Sequence, residues 1–190
     1  MLTVSNLVLT STNGTLIDNG DGTWDYTPDL NDDSDVTFSF RLTDGGGADV
    51  IGNASLEITP VNDAPTTLPV VLNSISEDTL TRLITRDELL RNAGDVDNDS
   101  LTASGLTVTS GNGSVIDNGD GSFTYIPVAN DDTEVSFSYT ISDGTLDVMG
   151  SASLDITRVN DNPDAVNDAF STDEDTDLSL IHISEPTRPY

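Results

Sequence analysis

Residues 134–142 read EVSFSYTIS, and the pattern of this segment predicts the fold class. From Val135 onward its apolar side chains stand at every second position, with serine or threonine between them. Such strict alternation predicts a β-strand that buries one face and exposes the other. The stretches 36–42 (VTFSFRL) and 152–156 (ASLDI) repeat the pattern. We therefore expect an all-β protein.

Turn signals separate these strands. NGDG at 118–121 lies between SVID and SFTY and predicts a tight hairpin, and DG at 143–144 predicts another. Only RDELLRNA at 86–93 is typical of a helix, of about two turns. Seven strands in about a hundred residues favour a Greek-key β-sandwich of immunoglobulin-like type. They are predicted near 68–75, 80–84, 101–109, 114–117, 122–126, 134–142 and 147–158.

The chain contains a long internal repeat. Residues 13–44 (NGTLIDNGDGTWDYTPDLNDDSDVTFSFRLTD) match residues 112–143 (NGSVIDNGDGSFTYIPVANDDTEVSFSYTISD) at a constant offset, 112 − 13 = 99. The match continues from VNDAP at 61–65 to VNDNP at 159–163. A period this long is typical of whole domains joined in tandem rather than of a solenoid coil. We therefore expect tandem β-sandwiches.

The repeat also predicts the domain boundaries. Aligned on the second copy, the first copy lacks the opening strands, so we expect an internal slice of a longer array. Residues 178–188 (LSLIHISEPTR) resemble the translation of a transposase adapter used in sequencing libraries. We therefore leave 178–190 out of the fold as an artefact. The predicted units are a truncated repeat at 1–60, a linker at 61–65, a complete repeat at 66–158, a linker at 159–163 and the start of a third repeat at 164–177.

Composition excludes several classes of function. The 190 residues include 34 acidic and six basic side chains, for a net charge of −28. Binding of nucleic acid needs a basic patch, which this composition excludes. The absence of cysteine excludes disulfides and thiolate metal sites. No apolar run is long enough to cross a bilayer, so we expect no membrane insertion by this segment.

The acidic residues are unusual in kind. Six of the 34 are Glu and the other 28 are Asp. An excess of Asp points to turns, where Asp bonds its own backbone, or to calcium sites, where short carboxylates form compact oxygen cages.

The loops that carry these acids are expected to gather at the ends of the sandwiches. Successive strands alternate in direction, so the entering linker, the loop GDVDNDS (94–100) and the turn at 143 fall at one end. In a head-to-tail string, the NDDSD loop (31–35) of the first repeat meets that end. The first junction is expected to combine Asp32, Asp33, Asp35, Asn62, Asp63, Asp95, Asp97, Asp99 and Asp143. The second is expected to combine Glu77, Asp78, Asp131, Asp132, Glu134, Asn160 and Asp161.

These clusters predict bound Ca²⁺. Like charges a few ångströms apart cost several kcal/mol at partial burial, and calcium removes that cost while accepting six to eight oxygen ligands. An EF-hand is excluded, because Ser100 and Leu106 stand where its loop needs Gly and Glu. The alternatives are a solvated acidic loop at 95–99 and ordinary Asx-turns in the linkers.

Taken together, these motifs resemble the cadherin-like tandem repeats, or extender domains, of bacterial RTX-type surface adhesins. The motifs are VNDAP (61–65), SEDT (76–79), DVDNDSLT (95–102), NGDGSFTYIP (118–127), FSYTISDG (137–144) and the VND of the second linker (159–161). The resemblance implies type I secretion, a place at the bacterial cell surface, and extender regions that calcium stiffens for cell adhesion or biofilm formation. The implied partners are neighbouring repeats and, through other domains, a host or biofilm surface.

We expect no enzymatic activity. The chain has no G-x-S-x-G motif, and its one histidine, His182, lies in the excluded tail. The carboxylates are placed in loops at the domain ends rather than across a pocket. The alternative function is an accessory or carbohydrate-binding module of a secreted polysaccharide-degrading enzyme.

Overall fold

A computed structural model describes residues 2–162, 171 and 173–175. The predictions for the third repeat and for the adapter-like tail lie almost entirely outside these residues. The first repeat forms five strands: β1 (Thr3–Leu9), β2 (Thr15–Asp18), β3 (Trp24–Thr27), β4 (Val36–Thr43) and β5 (Asp49–Leu56).

The second repeat contains more, and mostly shorter, elements. Its first half comprises β6 (Thr66–Thr67), β7 (Val70–Val71), β8 (Ile75–Ser76), β9 (Arg82–Ile84), the helix α1 (Arg86–Leu89) and β10 (Ala93–Gly94). Its second half comprises β11 (Thr102–Ser110), β12 (Ser114–Asp117), β13 (Phe123–Ile126), β14 (Val135–Ser142), β15 (Asp147–Leu154) and β16 (Ile156–Thr157). In the described part of the chain, no helix is long and apolar enough to cross a membrane.

The strands of the second repeat form a β-sandwich. One sheet has the order β11-β14-β15-β7 and the other β12-β13-β9. All pairs in these two sheets are antiparallel except β15 with β7. Because the hairpin β12–β13 belongs to one sheet while β11 and β14 pair in the other, the connections form a Greek key. The predicted fold class is confirmed.

The core lies between these two sheets. Val135, Phe137, Tyr139 and Ile141 on β14 are all buried, as the alternation in the sequence predicts. The ring of Phe137 meets that of Tyr125 on β13 edge to face, with centroids 5.4 Å apart. The buried hydroxyl of Tyr139 donates to the Leu89 carbonyl at 2.7 Å, so α1 is tied to the core.

The predicted first and last strands are both interrupted. The first is divided into β7 and β8, and Pro69, which has no N–H to donate, precedes β7. The last is divided at Asp155 into β15 and β16, which pair in parallel with β7 and β8 respectively.

The helix is shorter than predicted. It begins with a capping box formed by Thr85 and Glu88. It ends at Leu89 because the chain turns there and Ala93–Gly94 pairs with Thr66–Thr67. Strand pairing therefore replaces the predicted second helical turn.

The first repeat repeats only part of this arrangement. Its strands form the sheet β1-β4-β5 and the hairpin β2–β3, and residues 2–60 contain no counterparts of β7, β9 or α1. Leu56 is consequently 42% exposed, whereas Leu154 at the matching position of the second repeat is fully buried. The inner face of this sheet is partly uncovered.

Candidate metal centre

The acidic loop between β10 and β11 wraps around one carboxylate. The backbone N–H groups of Asp97 and Asp99 donate to Asp95 Oδ1 at 2.9 and 3.3 Å. Asn98 bends the loop with a left-handed φ of 63°. One carboxylate oxygen from each of the three aspartates lies within 4.8 Å of the others. The alternating sequence thus directs three acids toward one point.

The burial of the other Asp95 oxygen distinguishes a cation site from a solvated loop. Asp95 Oδ2 is buried, and no described residue donates a hydrogen bond to it. A buried polar atom without a partner carries an unfavourable desolvation cost. In an ordinary solvated loop this oxygen would face water. A hard cation with oxygen ligands would satisfy it, so the residues present fit calcium.

The first linker is attached to this end of the second repeat by side chains. Asn62 Nδ2 donates to Asp143 Oδ2 at 2.9 Å, and the backbone N–H of Asp63 donates to Asp97 Oδ2 at 2.8 Å. The N–H of Leu146, followed by the Asn62 amide, holds the pKa of the Asp143 carboxyl below its usual range. The linker, the acidic loop and the turn at 143 therefore meet.

The first repeat completes this junction. A cavity of about 840 Å³ lies between the two repeats and the linker. Six predicted residues line it: Asp32, Asp33, Asn62, Asp63, Asp97 and Asp99. Asp95 and Asp143 contact lining residues through the bonds above, whereas Asp35 is outside the lining.

Sequence reasoning missed several residues at the cavity. Asp29, Asn31 and Asn98 also line it. Asp29 stands where the second repeat has Val128, so the internal repeat gave no signal for it. Asn31 has a left-handed φ of 57°, matched by 58° at Asn130. The pair of asparagines was visible in the repeated ND motif.

The two aspartates of each NDD loop have different surroundings. Asp131 accepts from the N–H of Thr133 at 2.9 Å and from Asn112 Nδ2 at 2.6 Å. The Thr133 hydroxyl and N–H, followed by Asn112, hold the pKa of the Asp131 carboxyl below its usual value. Asp32 accepts in the same way from Ser34, at 2.8 Å. The next residues, Asp33 and Asp132, are exposed.

The far end of the second repeat contains a buried charge. Glu77 is 3% exposed, and it is the buried charged residue of the described core. Its Oε1 accepts from the N–H of Val159 at 2.8 Å, and its own N–H donates to the Thr157 carbonyl at 3.0 Å. Glu77 thus lies against the second linker.

The other residues predicted for the second junction are more open. Asp132 Oδ2 pairs with Arg158 Nε at 2.9 Å. Asn160 Nδ2 donates to the Asp161 carbonyl at 3.2 Å, as Asn62 does to Asp63. Asp78 and Glu134 are exposed. The structure places Glu77 and Asp132 at the linker and leaves Asp78 and Glu134 without a described contact to it.

Comparisons with known proteins give a family match. The family model for the cadherin-like domain matches residues 1–59 and 61–157. No curated protein matches the chain.

Several solved structures are similar to it. Extracellular domains 1–2 of human mucin-like protocadherin share 14% identity over 84% of each chain, with a TM-score of 0.49. Extracellular domains 1–5 of protocadherin gamma B2 share 17% identity over 85% of this chain and 33% of that chain, with a TM-score of 0.41. An endo-fucoidan hydrolase of glycoside hydrolase family 107 shares 23% identity over 82% of this chain, with a TM-score of 0.34. This chain spans 24% of that hydrolase chain.

Proposed function

Because the chain belongs to the cadherin-like domain family, we propose that it is a calcium-rigidified extender segment of a large secreted adhesin. Cadherin-like domains are structural modules, typically extracellular, and they generally bind calcium. The observation that carries the proposal is the buried, donorless Oδ2 of Asp95. It lies in a loop that shares one cavity with the linker and the preceding repeat.

In this proposal the junction residues control the angle between adjacent sandwiches. Without a cation, the carboxylates of Asp33, Asp63 and Asp97 repel one another across the cavity. The linker is then held by hydrogen bonds from Asn62 and Asp63. Bound calcium supplies the positive charge that lets these carboxylates converge. The residues that would hold it are Asp33, Asn62, Asp63, Asp95, Asp97 and Asp99, with Asp143 attached to them through Asn62.

The far end of the second repeat would hold the next junction. Glu77 is buried against the linker and Asp132 faces it, so both are positioned to bind a cation with Asn160 and Asp161. Glu134 stands two residues after Asp132 and is exposed, so it is available to join them. Asp131, like Asp32, is proposed to shape its loop and to contribute less directly, and Asp78 is exposed and makes no described contact with the linker.

The adhesin context rests on sequence motifs and family membership. We propose an RTX-type bacterial adhesin that is exported by type I secretion and stays at the cell surface, where it serves in adhesion or biofilm formation. The partners would be neighbouring repeats, with other domains contacting the host or biofilm surface. No catalytic role is proposed. A carbohydrate-binding module would need an exposed aromatic strip, whereas Phe123, Tyr125, Phe137 and Tyr139 are buried.

A thermal melt tests the calcium proposal. We expect the melting temperature of the chain to rise on going from EDTA to millimolar calcium and to change little with magnesium. A ligand at a hundred times its dissociation constant stabilises by about 2.7 kcal/mol, and several ions should exceed this. Asp95→Asn should remove the part of the rise that comes from the first junction.

The control variant is Asp25→Asn. It removes the same charge from an exposed position on β3, away from the junction, and should leave the calcium response intact. The proposal would be wrong if magnesium raised the melting temperature as much as calcium does, or if Asp95→Asn kept the full rise with calcium.

A further inference from the structure

The stretches that lead into the two linkers differ at one position. The first reads ITPVND (58–63) and the second ITRVND (156–161), so Pro60 is replaced by Arg158. The following Asn–Asp pairs have the same local geometry, since each asparagine donates to the next carbonyl at 3.2 Å. Within these six residues, the two stretches therefore differ only in the replacement of proline by a positively charged arginine.

The positively charged side chain of Arg158 contacts a candidate calcium ligand. Arg158 Nε contacts Asp132 Oδ2 at 2.9 Å. Asp132 corresponds to Asp33 of the first repeat, because both close the NDD motif. Among the residues that the structure describes, Asp33 makes no hydrogen bond or ion pair, and it lines the junction cavity. The carboxylate at this position of the repeat is thus paired with an arginine at the second linker, whereas at the first linker it is unpaired and can bind a cation.

We propose that Arg158 is an affinity-determining residue, which lowers the calcium affinity of the second linker. This inference rests on the proposed calcium function. Two successive linkers would then become rigid at different calcium concentrations. The chain would have a graded response to calcium rather than a single transition.

The size of the effect follows from the geometry. The side chains of Arg158 and Asp132 are 65% and 41% exposed, so the ion pair itself is weak and opens readily. The charge, however, stays nearby. A calcium ion bound to Asp132 would lie about 4 to 5 Å from the guanidinium, given ordinary calcium–oxygen distances. Repulsion at that separation, in water at physiological salt, lowers affinity by about 5- to 20-fold.

Calcium titration calorimetry of the full chain tests this. Wild type should show a tighter and a weaker class of sites, and Asp97→Asn should weaken the tighter class and so identify it with the first linker. Arg158→Ala should tighten the weaker class by about 5- to 20-fold and leave the other unchanged. The reciprocal Pro60→Arg should weaken the tighter class.

Two controls separate a local effect from a change in net charge. Arg41 pairs with Asp49 at 2.8 Å, and their side chains are 53% and 41% exposed, so Arg41→Ala removes a similar ion pair away from the linkers. It should leave both affinities unchanged. Arg158→Lys keeps the charge and should stay close to wild type.

The outcomes distinguish the two proposals. If Arg41→Ala tightens calcium binding as much as Arg158→Ala does, the effect is one of net charge and the inference is wrong. If calcium binds at the first linker and Arg158→Ala changes nothing, the inference fails while the proposed function stands. If no variant binds calcium, both fail.

Discussion

At the scale of the residue, Asp131 illustrates how an acidic motif is divided between structure and binding. Its carboxylate accepts hydrogen bonds from the N–H of Thr133 and from the side-chain amide of Asn112. The backbone carbonyl of Asn112 in turn accepts from the hydroxyl of Tyr125. This chain of hydrogen bonds ties the loop to a core aromatic residue. The neighbouring Asp132 is exposed and points to the linker through Arg158. Adjacent aspartates therefore serve different purposes.

The bonds of Asp131 predict a dependence of stability on pH. They lower the pKa of its carboxyl in the folded state, so their contribution is present above the pKa of the unfolded chain. It is lost as pH falls through the folded value. In EDTA we expect the melting temperature to fall as the pH drops below about 4. In Asp131→Asn that fall should be shallower.

The control for this measurement is Asp87→Asn. The Asp87 side chain is 91% exposed, so this variant removes a charge without removing such bonds. Melts recorded between pH 7 and pH 2 should show the wild-type slope for it. An unchanged slope in Asp131→Asn would mean that the loop bonds do not contribute.

At the scale of the element, the pairing of β14 with β15 depends on a glycine opposite an aromatic ring. Gly150 pairs with Tyr139, and a Cβ at position 150 would lie 2.5 Å from Tyr139 Cε2. The first repeat has the same arrangement, with Gly52 opposite Phe40 and 2.4 Å from Phe40 Cζ. In both repeats the ring lies over the neighbouring strand where a side chain would otherwise stand.

Gly150→Ala should therefore destabilise the second repeat. The added methyl group must displace a fully buried tyrosine whose hydroxyl is fixed on Leu89, so we expect a loss of about 1–3 kcal/mol of unfolding free energy. Chemical denaturation measures it. Gly94→Ala is the matched control, because no atom lies within 4 Å of its added Cβ. Equal stability of the two variants would contradict this packing account.

At the scale of the whole molecule, the two repeats are unequal. The second has a continuous core that includes β7, β9 and α1. In the first, a cavity of about 430 Å³ opens beside Leu16, Trp24 and Phe40. Nothing within residues 2–60 pairs with the free edge of β3 or β5. Unpaired edges and an uncovered apolar face favour association.

We therefore expect the repeats to behave differently as separate fragments. Residues 64–162 should unfold in one cooperative transition, because this fragment holds the whole described core of the second repeat. Residues 1–60 should lack a cooperative transition or should aggregate. Circular dichroism during denaturation, with sedimentation to detect association, measures both. A monomeric and cooperatively folded 1–60 fragment would overturn this expectation.

The fold class and most of the strands could be predicted from the sequence alone. Alternation of apolar residues along 135–142 is a local signal, since side chains on a strand point to opposite faces in turn. The match of 13–44 with 112–143 is likewise readable without coordinates. The sequence also pointed to the acidic loops, because Asp95, Asp97 and Asp99 alternate within one segment.

The use of individual acids depends on the folded structure. That Asp95 Oδ2 is buried without a donor, and that Arg158 lies on Asp132, depends on segments far apart in the chain. The breaks at Pro69 and Asp155 also follow from parallel pairing between β7–β8 and β15–β16. Composition and spacing fix which groups are present, whereas their partners depend on distances that exist only once the sheets have packed.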